Sequence, residues 1–140
     1  MSDIEILEKS AQEIIEMFEV FAPPVPVESM LQNPPQGAWS KVDPTQLSGG
    51  FLNIKEKFSP RMSLARLLVR HVAGSEWGRE RGLFQILQKP DMIQCFARMV
   101  IMPREMILSM IPRDRNPLTI ATQFEVPESD ADLRLNDLIL

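Results

Sequence analysis

The stretch Ser59-Pro60-Arg61-Met62-Ser63-Leu64-Ala65-Arg66-Leu67-Leu68-Val69-Arg70-His71-Val72-Ala73-Gly74 reads as a helix marked at both ends. Ser59 offers an N-cap, and Pro60 suits the first helical position, where its missing N–H costs nothing. Gly74 is a plausible stop. Leu64, Leu67, Leu68, His71 and Val72 recur at i, i+3, i+4, i+7 and i+8, one apolar face at helical period. This helix carries the chain's single histidine, His71. It also sets Arg66 and Arg70 one turn apart in otherwise apolar surroundings, and that pair needs a physical reason.

Upstream, Ser2 and Glu5 have the spacing of a capping box. Leu7, Ala11, Ile14, Phe18 and Phe21 then predict one long amphipathic helix ending before Pro23-Pro24. Val27 to Leu31 predicts a short second helix, and Pro34-Pro35-Gln36-Gly37 a turn. Residues 38–54 look different. Trp39, Val42, Leu47, Phe51, Leu52 and Ile54, broken by Pro44, Gly49 and Gly50, predict two or three short strands. Downstream, Pro90 opens a helix with Ile93, Phe96, Ala97, Val100 and Ile101 inward, ended by Pro103. Met106 to Ile111 predicts one more short helical turn. Two last helices follow Asn116-Pro117 and Pro127, the first with Leu118, Ala121 and Phe124 inward, the second with Ala131, Leu133, Leu135 and Leu138 apolar. The expected class is α+β: mostly helix with a small sheet, in a single domain over residues 1–140.

Composition narrows the function classes. The chain of 140 residues is long enough for a core, and no apolar run approaches the roughly 20 residues that span a bilayer. The acidic start MSDIEILEKS lacks the form of a signal peptide, so a cytoplasmic protein without membrane contact is expected. One cysteine excludes an internal disulfide. Charge is uneven: residues 1–35 hold seven acids and one base, residues 36–115 seven acids and thirteen bases, and residues 116–140 five acids and one base. Two readings stand. Either these are solvated faces that differ, or acidic ends fold over a basic middle that otherwise meets an anionic partner.

One His and one Cys leave little material for site chemistry. A nucleophile-and-base pair would have to use His71, and a structural zinc usually takes four Cys or His ligands. Gly49-Gly50 is a turn doublet and not a phosphate loop, and the chain has no tyrosine for a base-stacking platform. No cofactor and no metal are called for. His71 is expected as a packed, hydrogen-bonded core residue, Cys95 as a small buried apolar one, and the nine methionines as core filling. The last two helices have the rhythm of a helix-turn-helix. The final one carries Glu128, Asp130, Asp132 and Asp137 against Arg134, so it would be repelled by phosphates and reads as a packing module.

Taken in order, five pieces resemble the ImmA/IrrE-type family of small bacterial zinc peptidases, which cut helix-turn-helix repressors. They are PVPVESML, LSGGFLNI, RMSLARLLVR, IQCFARMVIMP and LTIATQFEVPESDADLRLNDL, and the match runs from about residue 10 to the end. The resemblance implies a zincin-like minimal peptidase fold with a small sheet and a C-terminal helical pair. It also implies a site. In the family two histidines at i,i+4 hold zinc and a glutamate beside the first is the general base. Those positions are Arg66, Arg70 and Leu67 here. The third ligand position falls at Pro90, next to Asp91. A guanidinium has no lone pair for a metal and leucine accepts no proton, so the family's mechanism cannot operate on these residues.

Arg66 and Arg70 are therefore candidates for an ion-pair or anion site, with Asp91 or Glu76 as carboxylate partners. If such pairing holds, Arg66→Ala costs more than the ~0–1 kcal/mol of an exposed pair. The function the resemblance implies is an inactive peptidase-like domain that binds a protein partner, such as a repressor-like regulator. Two alternatives stand beside it: an active metal-dependent peptidase with an unusual ligand set using His71, Cys95 and Asp91, and nucleic-acid binding through the basic middle. The net charge of −4 counts against the last.

Overall fold

The computed structural model describes residues 1–41 and 57–138. In order, the helices are α1 (Asp3–Met17), α2 (Val27–Gln32), α3 (Ser59–Gly74), α4 (Glu76–Glu80), α5 (Leu83–Ile86), α6 (Pro90–Ile101), α7 (Arg104–Leu108), α8 (Pro117–Phe124) and α9 (Glu128–Leu138), with a 3-10 turn at Pro112–Asp114. Helix accounts for 69% of the described residues and none of them is in a strand, so the α+β expectation is corrected to a helical fold. Most of the segment expected as a sheet, residues 42–56, lies outside the described residues. Its described start is a turn, with Ala38 N–H bonded to Pro35 O at 3.1 Å. Trp39 there is buried among helices, its ring 6.0 Å from Phe18 and 5.9 Å, edge-on, from Trp77. An apolar residue between turn signals serves here as a plug and not as a rung of a ladder.

Ser2 and Asn116 cap as the sequence indicates, whereas Ser59 is already helical in α3, whose N-cap position is Phe58 with no side-chain bond. Ser2 Oγ accepts from Glu5 N–H at 3.2 Å, and Asn116 Oδ1 accepts from Thr119 N–H at 2.9 Å. Ser75 serves two helices: its hydroxyl donates to Val72 O as α3 ends and accepts from Gly78 N–H as α4 begins. Helix α1 stops earlier than its apolar spacing predicts. Glu19 turns left-handed (φ 53°), and Val20 N–H reaches back to Ile15 O, a Schellman closure. Phe21, expected on the buried stripe, is 87% exposed as a result.

Helix α6 is the hub, packed against α3, α1 and α9, while α8 packs on α9 and α2 on α3. Its residues from Cys95 to Ile101 are all buried. One expected inward position is corrected: Leu118 is 64% exposed. On α9, Leu133 is 46% exposed while its neighbour Arg134 is fully buried at 0%. The inward face of α9 is Ala131, Arg134 and Leu138, a phase that keeps two of the apolar residues and sets an arginine between them.

Charge explains how that phase is tolerated. Arg134 donates to both carboxylate oxygens of Glu8 on α1, at 2.8 and 3.0 Å, and through Nε to Met102 O at 2.9 Å. Arg81 pairs with Glu13, Arg61 with Glu28, and Arg98 with Asp137. These last three pairs each join an arginine of the basic middle to an acid of one of the two terminal segments. The folding of acidic ends over a basic middle is thus a feature of the structure. Arg61 also ties three elements, donating to Val25 O, Phe124 O and Glu125 O at 2.8, 3.2 and 3.0 Å. Among the described residues no helix is long and apolar enough to cross a membrane.

Candidate functional site

The residues singled out from sequence lie on α3 and at the start of α6. Arg66 and Leu67 are half-buried, Arg70 is exposed, and Pro90 and Asp91 are exposed at the N-terminus of α6. Arg66 donates from Nη2 to Ser63 Oγ at 3.0 Å. Burial pushes its guanidinium pKa down, the Asp130 carboxylate on α9 opposes that, and the nearby charge of Arg70 adds to it. The acid facing Arg66 is therefore Asp130. The ion pairs among the described residues include none from Arg66 or Arg70 to Asp91 or Glu76. Neither acid could be chosen from sequence, because Asp130 is brought to α3 only by the docking of the last helix. With a hydroxyl and a carboxylate around a half-buried guanidinium, Arg66→Ala is expected to cost about 1–2 kcal/mol. Urea denaturation checks this, and an unchanged midpoint would place the side chain in solvent.

Beyond the first three turns of α3 the surface opens into a cleft of about 490 Å³. Its walls include Trp39 and Ser40 from the turn before the undescribed segment, and Arg70, His71 and Ser75 from the end of α3 and just beyond. His71 is half-buried on this wall and has no hydrogen-bond partner among the described residues. It is an edge residue of the cleft and not the hydrogen-bonded core residue expected. Trp39 is 7% exposed, and its Nε1 is buried with no hydrogen-bond acceptor. An unsatisfied buried N–H costs about 1–3 kcal/mol, so its presence at a cleft wall is informative. A second, more apolar groove of about 370 Å³ runs between Phe21, Met106, Met110 and Phe124. Of the other methionines, Met30, Met62, Met99 and Met102 are buried in the core as expected, while Met1 and Met17 are exposed.

Cys95 is buried, as expected, with Sγ 3.9 Å from Asp137 Oδ2. Burial pushes its thiol pKa up, Asp137 and Glu8 reinforce this, and Arg98 and Arg134 oppose it. A thiol whose folded pKa is raised contributes stability that is complete below its unfolded value and lost as pH rises through the folded one. The chain is expected to lose stability above about pH 8.5, the unperturbed thiol value. Cys95→Ala should flatten that slope in denaturation curves between about pH 8 and 10, a window clear of tyrosine because the chain has none. Equal slopes in both chains would refute it.

Among the described residues no three His, Cys, Asp or Glu side chains come together in a way that could hold a metal ion. The lone histidine and cysteine sit apart in role: His71 on the cleft, Cys95 under α9 beside Asp137. No protein-family model, curated protein or solved structure matches the chain.

Proposed function

We propose that this chain is a binding domain, a non-catalytic relative of the ImmA/IrrE-type peptidases that acts by protein–protein contact on a helix-turn-helix regulator. The observation that carries the reading is the placement of Arg66 and Arg70. They stand one turn apart on α3, close enough for each charge to be felt by the other, at the two positions where the resemblance puts metal-binding imidazoles. A dication about 5 Å from a guanidinium is repelled by roughly 6–7 kcal/mol at an effective dielectric of about 20. Two such terms match the ~10–16 kcal/mol that a structural zinc site typically gains. The packing of α3 against α6 supports the reading as well, since the two helices carry the two motifs that supply ligands in the family.

Elemental analysis of the purified untagged chain, without added zinc or chelator, tests the loss of the metal. Less than about a tenth of an equivalent of any transition metal is expected, against the one equivalent of a zinc peptidase. Mixing the chain with a helix-turn-helix regulator, and resolving the mixture by size exclusion, tests the activity. Co-elution with the regulator uncut is expected. One equivalent of metal, or a cleaved regulator, would overturn the proposal.

A further inference from the structure

We infer that the cleft between residues 37–40 and the C-terminal end of α3 recognises a carboxylate presented by an acidic peptide. The inference deepens the binding-domain reading and rests on it. Its first support is Arg70. Arg61, Arg81, Arg98 and Arg134 are each held in an ion pair, and Arg66 is held by Ser63 and faced by Asp130. Arg70 lines the cleft exposed, with no hydrogen-bond or ion-pair partner among the described residues. Its charge is available to a ligand.

The second support is independent of charge. Trp39, more than nine-tenths buried, borders the same cleft with an indole N–H that lacks an acceptor. His71 stands beside Arg70 without a hydrogen bond among the described residues, and Ser40 adds an exposed hydroxyl. No Asp or Glu is among the described residues that line the cleft. The side chains around it are thus rich in donors and hold no competing carboxylate.

The donor set selects the anion. One permanent cation with neutral donors around it suits a single negative charge better than a phosphate dianion. The planar guanidinium fork matches the two oxygens of a carboxylate. Trp39 and Ala38 give apolar wall for the methylenes of a glutamate side chain. A cleft of about 490 Å³ is within the range of small-ligand sites and exceeds one carboxylate, leaving room for flanking backbone.

The test is calorimetric titration of the full chain with capped tetraglutamate, capped tetraglutamine and inorganic phosphate, alongside tryptophan fluorescence. Tetraglutamate is expected to bind at least about tenfold more tightly than tetraglutamine, and to perturb the emission of the Trp39–Trp77 pair. Arg70→Gln should weaken tetraglutamate about tenfold or more with an unchanged melting midpoint, since Arg70 is exposed. Arg70→Lys, which keeps the charge and loses the fork, should fall between. Equal binding by Arg70→Gln, or no preference for tetraglutamate over tetraglutamine, overturns the site. Tighter binding of phosphate than of tetraglutamate overturns the carboxylate assignment. If metal is absent and the regulator still co-elutes with the Arg70→Gln chain, the site falls and the binding-domain reading stands. If metal is present or the regulator is cleaved, that reading itself falls.

Discussion

Replacing Arg134 with alanine is expected to destabilise the chain by about 3–5 kcal/mol, as removal of one partner from a buried ion pair typically does. The guanidinium is wholly inaccessible and makes three hydrogen bonds to two elements distant in sequence, Glu8 on α1 and the Met102 carbonyl at the end of α6. Its loss leaves the Glu8 carboxylate facing a cavity and the Met102 carbonyl short of a donor. Glu8→Ala should cost a similar amount by the opposite route, because it strands the buried cation. The double variant Arg134→Met with Glu8→Leu should recover most of the loss, since well-packed apolar substitutes for a buried pair are often neutral or stabilising. Chemical denaturation of the four chains side by side checks this. If Arg134→Ala cost under about 1 kcal/mol, the value of an exposed pair, the buried contact with Glu8 would be refuted.

Gly78→Ala is expected to cost about 2–4 kcal/mol, with Gly74→Ala as its near-neutral control. Gly78 is buried in α4, three residues past Ser75, where the chain leaves α3. A Cβ there would overlap the Val72 carbonyl oxygen and lie 2.8 Å from Ala73 Cα and 2.9 Å from Ala73 O. All three are backbone atoms, so no side chain can swing aside. The corner must open, and opening it strains the Ser75 hydroxyl that bonds Val72 O and Gly78 N–H. At Gly74 an added Cβ meets nothing within 4 Å, and alanine favours the helix by up to about 1 kcal/mol. Thermal melts of the two variants should therefore move apart, and a Gly78→Ala melt that matches the parent would refute the tight corner.

Much of the helical order was legible from local chemistry. Ser2, Pro60, Pro90, Pro103, Asn116 and Pro127 punctuate the chain at or within about a residue of where elements begin or end. The α6 stripe was legible as well, with its residues buried almost as its period predicts. The failures share a cause. Phe21 was placed on a helix that a left-handed Glu19 had already ended, and nothing in the residue type of a glutamate announces that conformation. On α9 the apolar letters include Leu133, yet the charged Arg134 beside it is the residue that turns inward.

The candidate site divides in the same way. The two arginines at helical spacing drew attention to α3 from the sequence, and α3 does carry the cleft. Their different surroundings were invisible there: Asp130 faces Arg66, while Arg70 looks onto Trp39 and His71. His71 was assigned to the core because it fell on an apolar stripe. A stripe at period 3.6 has an edge, and which residues lie on it depends on what packs alongside.

The sequence by itself determined where most helices start and stop, because caps, prolines and apolar period act within one or two turns. It also carried the charge segregation that the fold uses. Only the tertiary structure decided which acid meets which arginine, which face of α9 turns inward, and that the lone histidine borders a cleft. A guanidinium can be buried only where a carboxylate waits for it, and for Arg134 that carboxylate lies 126 residues away.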